Sequence, residues 1–218
     1  MFVCRISPNR SFWITPRRLP TKPAGKTLTC CFFGRLSKEK GIDVLVDAFI
    51  AAIPSLPSNV RLVIAGDGPE RESIEEKIAS ADSCIRSRIE LAGYQAGSAL
   101  QAYVEGASLA IASSRWRENM PYSIVEAFAA GTPVIGTNIG GIPELVIEGE
   151  TGFICDPDSS PSLTEAIIRG LAAFNDEARY ASLQANCRAY VLERCSQGKY
   201  MKELTALYKE LIDSKKGN

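Results

Sequence analysis

The chain has 218 residues, 25 of them basic and 25 acidic, with seven cysteines and no histidine. A formal charge of zero leaves no overall field for nucleic acid or an anionic membrane, and the missing imidazole excludes Ser-His and Cys-His catalytic sets and the histidine-bearing zinc motifs. No apolar run approaches the roughly 18 residues of a membrane span, so the length suits one well-formed core, or one domain with helical extensions, in a soluble chain.

Residues 1–26 contain four prolines and many basic residues without sustained periodicity. They are expected to be a linker or the remnant of a missing N-terminal domain, poorly ordered on its own. Between Met1 and Arg18 there is no continuous apolar region of the signal-peptide kind. Leu28–Phe33 then predicts a buried strand, followed by the loop Gly34-Arg35-Leu36-Ser37-Lys38-Glu39-Lys40-Gly41 and a helix carried by Ile42, Leu45, Val46 and Phe49. Val60–Ala65 predicts the next strand, ahead of Gly66-Asp67-Gly68-Pro69 and a charged helix from Glu70 to about Ala81.

The alternation continues with a strand over Ile89–Gly93, a helix over Ser98–Gly106 and a strand over Leu109–Ala112. A helix opening near Pro121 and ending at Gly131 follows, with Ile124, Val125 and Phe128 as its buried stripe. Strands at Pro133–Gly136 and Gly152–Cys155 flank a short helix that starts in Gly140-Gly141-Ile142-Pro143-Glu144. Strands alternating with helices through short loops imply an α/β fold, a Rossmann-like parallel sheet with helices on both faces and right-handed crossovers. From Asp156 onward only helices are expected, over Pro161–Phe174, Glu177 to about Arg194, and Lys199–Ile212. The last carries Met201, Leu204, Leu207, Tyr208 and Leu211 along one face. The resulting organisation is one domain over 27–195 and a C-terminal helix over 196–218.

Cys4, Cys30, Cys31, Cys84, Cys155, Cys187 and Cys195 form no C-x-x-C pair, which reads as reduced thiols in a cytosolic protein.

Ligands of open parallel sheets bind beyond the carboxyl ends of the strands, so the loops starting at Gly34, Gly66, Gly93, Ser113 and Gly136 are expected to converge. The stretch Ser113–Glu126 is the strongest candidate for chemistry. Glu118 and Glu126 stand eight positions apart, the first before the helix and the second inside it. Between them the amides near Tyr122, Ser123 and Ile124 open a helix start that attracts anions. Two carboxylates beside an anion site suit hydroxyl groups better than phosphates. Arg35 and Lys40 could neutralise a diphosphate there, although composition alone favours an ordinary solvated basic loop. Gly66-Asp67-Gly68-Pro69 fails the dinucleotide fingerprint because position 71 is arginine, and it also reads as a plain turn. Gly140-Gly141 allows a close backbone approach to a ligand, or simply a turn. A glycosidase pair of carboxylates is the competing chemistry, disfavoured by the helix start beside them.

Taken together, Gly34-Arg35-Leu36 with Lys40-Gly41, Gly66-Asp67-Gly68-Pro69, Glu118-x7-Glu126 and Gly140-Gly141-Ile142-Pro143-Glu144 resemble the nucleotide-sugar half of the retaining GT-B glycosyltransferases, family 4 or group 1. The resemblance covers roughly residues 27–195. It implies that Arg35 and Lys40 hold a donor diphosphate, that Glu118 lies by the donor sugar, and that Glu126 bonds the ribose. Gly34, Gly66 and Gly68 would belong to the donor pocket, and backbone groups from Met120 through Pro121, Tyr122 and Ser123 to Ile124 would bind sugar and phosphate. The neighbourhood of Tyr94 would take the base of a UDP- or GDP-linked donor. No metal and no cofactor beyond that donor substrate is implied.

In such families a facing domain binds the acceptor, a glycan or lipid-linked sugar. This chain is therefore expected to be the donor-binding half, the nucleotide-sugar subunit of a split enzyme with an N-terminal-half partner chain, or a non-catalytic binding module. No nucleic-acid partner is expected. The expected setting is the cytoplasm, with a peripheral position at the inner membrane face open to it through a missing domain or partner.

Overall fold

The computed structural model describes residues 27–195 and 197–216; the linker or remnant expected over 1–26 lies outside them. Six strands form the sheet among these residues: β1 (Leu28–Phe33), β2 (Val60–Ala65), β3 (Ile89–Gly93), β4 (Leu109–Ala112), β5 (Val134–Thr137) and β6 (Gly152–Cys155). They lie in the order β3-β2-β1-β4-β5-β6, every pair parallel. This is the doubly wound, Rossmann-like arrangement.

Successive strand residues face opposite sides, and the pattern of β1 shows both sides covered. Cys30 and Phe32 enter one core layer with Leu62, Ile64, Leu109, Ile111, Ile135 and Phe153. Cys31 and Phe33 enter the other with Ala110 and Val134. The first layer is closed by α1 (Ile42–Ala52), α2 (Arg71–Ser80) and α7 (Ser160–Ala172), and α1 packs directly on α7. Phe49 of α1 is fully buried there, and truncating it to alanine would cost about 3–5 kcal/mol.

The second layer is closed by α4 (Gly97–Gly106), α5 (Tyr122–Ala129) and α6 (Ile142–Leu145). Both layers share α8 (Glu177–Arg194): Tyr180 and Leu183 belong to the first, Cys187 and Val191 to the second. An 18-residue helix is about 27 Å long, enough to run from one face to the other past the sheet. Its start is capped by Asp176, which accepts from the Arg179 amide at 3.0 Å.

The expected strands agree with the observed ones except that β5 runs from Val134 to Thr137. The short α3 (Ser83–Arg86) was not expected, because four residues are too few to show periodicity. Helix α9 (Gln197–Lys216) extends beyond both expected ends. Met201, Leu207, Tyr208 and Ile212 on it are exposed, while the side chain of Leu211 lies outside the described set. No helix among the described residues is long and apolar enough to cross a membrane.

Candidate functional site

Strand order reverses between β1 and β4: the chain leaves β1 toward β2 and leaves β4 toward β5. Ligands of open α/β sheets bind at such a switch point, beyond the carboxyl ends of the strands. Lys40 follows β1 and Glu118 follows β4, and their side chains meet across it, Nζ to Oε1 at 2.8 Å. Both remain partly exposed, at 34% and 20%, so the pair adds little to stability and its value is positional. The hydroxyl of buried Ser114 donates to the same carboxylate oxygen, and Thr137 Oγ1 in turn donates to the Ser114 carbonyl at 2.7 Å. Among the described residues the other oxygen, Glu118 Oε2, has no hydrogen-bond partner.

The loops after β1 and β4 touch along their backbones. Ser113 Oγ donates to the Lys40 carbonyl at 2.9 Å, and the Arg115 amide donates to the Glu39 carbonyl at 2.8 Å. Gly41 must be glycine here, since its φ is +62° and a Cβ would lie 2.1 Å from the Ser113 carbonyl oxygen. The loop after β2 joins through Leu36, whose amide donates to Asp67 and whose carbonyl accepts from Glu70. Gly140 and Gly141 after β5 do make a close approach, but to the protein's own chain. The Gly141 amide donates to the Glu118 carbonyl at 2.6 Å, and a Cβ on Gly141 would stand 2.0 Å from the Asn119 carbonyl oxygen. The expected convergence of strand-end loops is thus observed directly for those after β1, β2, β4 and β5.

Arginine 115, which sequence reasoning passed over, reaches still further. Its Nη2 lies 2.8 Å from Asp43 in α1 and its Nε 2.6 Å from Asp158 after β6. Burial works against the charged guanidinium, but the hydrogen bonds to Asp158 and Asp43 outweigh it and its pKa is raised. Partners 72 and 43 positions away left no local signal to find it by. Ser114 was equally hidden, as one serine among several.

The remaining expected residues are placed as follows. Gly34 and Arg35 are exposed, and Arg35 makes no hydrogen bond or ion pair among the described residues. Gly66 and Gly68 lie in the loop that meets Leu36. Tyr94 is 76% exposed beyond the end of β3. Pro121 is buried at the cap position of α5, one place before the helix, with Met120 half-buried ahead of it. Tyr122 is exposed, Ser123 half-buried, and Glu126 buried within the helix. One correction concerns Ile124. Its side chain is core, as the stripe required, but its amide is not open to an anion because it donates to the Pro121 carbonyl at 3.1 Å. Only the amides of Tyr122 and Ser123 precede it in the first turn.

Fold and site together define a doubly wound α/β domain with a cation–carboxylate pair at its switch point. A family model described as "Glycosyl transferases group 1" matches residues 27–173, and the chain belongs to that family. It is 30% identical over 204 residues to the lipopolysaccharide core biosynthesis mannosyltransferase LpsB of Rhizobium meliloti, covering 90% of this chain and 55% of the relative. It is 29% identical over 177 residues to 2-deoxystreptamine N-acetyl-D-glucosaminyltransferase of Niallia circulans, covering 81% and 43%. Among solved structures it resembles Anabaena Alr3699/HepE in complex with UDP, with a TM-score of 0.71, 25% identity, and 85% and 49% of the two chains covered. The chain spans about half the length of the curated relatives it matches.

Proposed function

We propose that this chain is the donor-binding part, over residues 27–195, of a glycosyltransferase that takes a sugar from a nucleotide-diphosphate donor, with retention of anomeric configuration and without a metal. The carrying observation is the Lys40–Glu118 pair at the switch point, with no partner for Glu118 Oε2 among the described residues and α5 beginning nearby at Tyr122. The UDP held by HepE supports a uridine diphosphate donor.

An ammonium has three donors, so Lys40 can keep its bond to Glu118 while giving the others to phosphate oxygens. Exposed Arg35 and the amides of Tyr122 and Ser123 add positive character for the diphosphate. Oε2 of Glu118 accepts a donor-sugar hydroxyl, Glu126 the ribose, and the surroundings of Tyr94 the base. In the transfer, the acceptor hydroxyl bonds to the anomeric carbon as its bond to the diphosphate breaks, and the departing phosphate takes the hydroxyl proton. Preorganised cations lower the barrier because charge accumulates on the leaving group.

Calorimetry with UDP tests the reading. Wild type is expected to bind with a chelator present as well as absent, and Arg35→Ala and Lys40→Ala to bind at least about tenfold more weakly, the loss of one charge-assisted contact. Equal affinity in all three proteins rejects the diphosphate site. Transfer to an acceptor only when a second chain is added would favour a split enzyme over a self-sufficient one.

A further inference from the structure

We infer that Arg115 is a positioning residue for the donor cleft, fastening the loops after β1, β4 and β6 so that Lys40 is held at the distance from Glu118 that a diphosphate requires; this rests on the donor reading above. The contacts are made by one residue. Its amide bonds the Glu39 carbonyl at 2.8 Å, and its Nη1 approaches the Lys38 carbonyl at 3.4 Å. Its Nη2 bonds Asp43 at 2.8 Å and its Nε bonds Asp158 at 2.6 Å. The Arg115 side chain is 24% exposed, against 32% for Asp43 and 65% for Asp158.

The two residues beside these contacts are the cleft itself. Lys40 directly follows Glu39 and opens into α1, where Asp43 lies in the first turn. Glu118 lies three residues past Arg115 on a loop with no regular structure between β4 and α5. To the Ser113–Lys40 and Arg115 amide–Glu39 bonds that already join the β1 and β4 loops, the Arg115 side chain adds ties to α1 and to the turn after β6, which fix the position of the loop from three elements. A planar guanidinium with fixed donor directions is suited to the task, which a lysine cannot reproduce.

Asp158 supplies an independent observation. It is the non-glycine residue with positive φ among the described residues, at +55°. Aspartate tolerates that region better than most side chains, yet still at a cost. Its carboxylate is turned onto Arg115, so the strained turn after β6 has a partner that explains it.

The test uses the full chain, with UDP as the probe in calorimetry and amide hydrogen exchange on the nucleotide-free protein. Arg115→Met is expected to weaken UDP binding about tenfold and to speed exchange at residues 38–41 and 113–118. In a Lys40→Ala background the same change is expected to add less than about threefold, because Arg115 acts through Lys40. Arg115→Lys should behave like Arg115→Met, and Asp158→Gly, which keeps the backbone conformation and removes the carboxylate, should reproduce part of the effect. Lys202→Ala, exposed on α9, serves as the unaffected control. Full multiplicative loss in the double variant, wild-type binding by Arg115→Lys, or unchanged exchange in Arg115→Met would each overturn the inference. Should Arg115→Met fail to fold, Asp158→Gly carries the same two measurements. If wild type did not bind UDP, the donor reading would fall while the exchange result still decided whether Arg115 holds these loops.

Discussion

Lys40 and Glu118 are 78 positions apart in sequence, and their charged atoms meet at 2.8 Å where the strand order turns. One carboxylate oxygen is committed to Lys40 and Ser114, and the other has no hydrogen-bond partner among the described residues. Removing the charge of Glu118 should therefore separate two kinds of binding. Glu118→Gln is expected to bind UDP as well as or better than wild type, since Lys40 is released to the phosphates. UDP-glucose, as a test donor, should bind about tenfold less well relative to UDP, from the ~1.5–3 kcal/mol of a hydrogen bond to a charged group. Parallel loss of both ligands in calorimetry would contradict this division.

Gly141 gives a second test. Its amide holds the Glu118 carbonyl, and an added Cβ would meet the Asn119 backbone at 2.0 Å, an atom with no flexible end to move. Gly141→Ala should push the two loops apart, costing about 1–3 kcal/mol in urea unfolding and weakening UDP binding together with it. A variant of unchanged stability and affinity would show that the contact is loose in solution.

Alkaline pH should unfold the protein through groups far from the site. Burial, and after it the charge of Asp156, pushes the Cys155 thiol from 9.0 up to about 12, and burial raises Cys187 and Tyr180 as well. These groups stay protonated in the folded state when the unfolded chain has already released its protons. Their contribution is complete below about pH 9 and is lost as pH climbs toward the folded values, at roughly 1.4 kcal/mol per pH unit for each group. Urea midpoints should fall between pH 9 and 12, and Cys155→Ala should flatten the slope. A pH-independent midpoint across that range would show the thiols to be wet.

The apolar face of α9 predicts self-association. Met201, Leu207, Tyr208 and Ile212 are exposed together along one helix. Sedimentation should show mass increasing with concentration, and Met201→Lys with Leu207→Lys should abolish the increase. A monodisperse monomer at high concentration would contradict it.

Much of the molecule was legible in the residues alone. Strand runs such as Leu28–Phe33 and Val60–Ala65 are short, apolar and bounded by glycine loops, and a parallel sheet covered on both faces follows from their alternation with helices. That Lys40 and Glu118 come near each other was legible because each lies in the loop that follows a strand, and the carboxyl ends of parallel strands share one side. Periodicity could not reveal the four-residue α3, and it could not show that the Ile124 amide is used by Pro121.

What local sequence determined was therefore the set of elements and the loops that carry chemistry, since those depend on neighbours a few residues away. Which loop atoms touch was decided only when the sheet brought distant segments together. Ser114 on Glu118, Gly141 on Asn119, and Arg115 between Asp43 and Asp158 are contacts of that kind. Each depends on a strand order and a register, and neither is written in any one stretch of the chain.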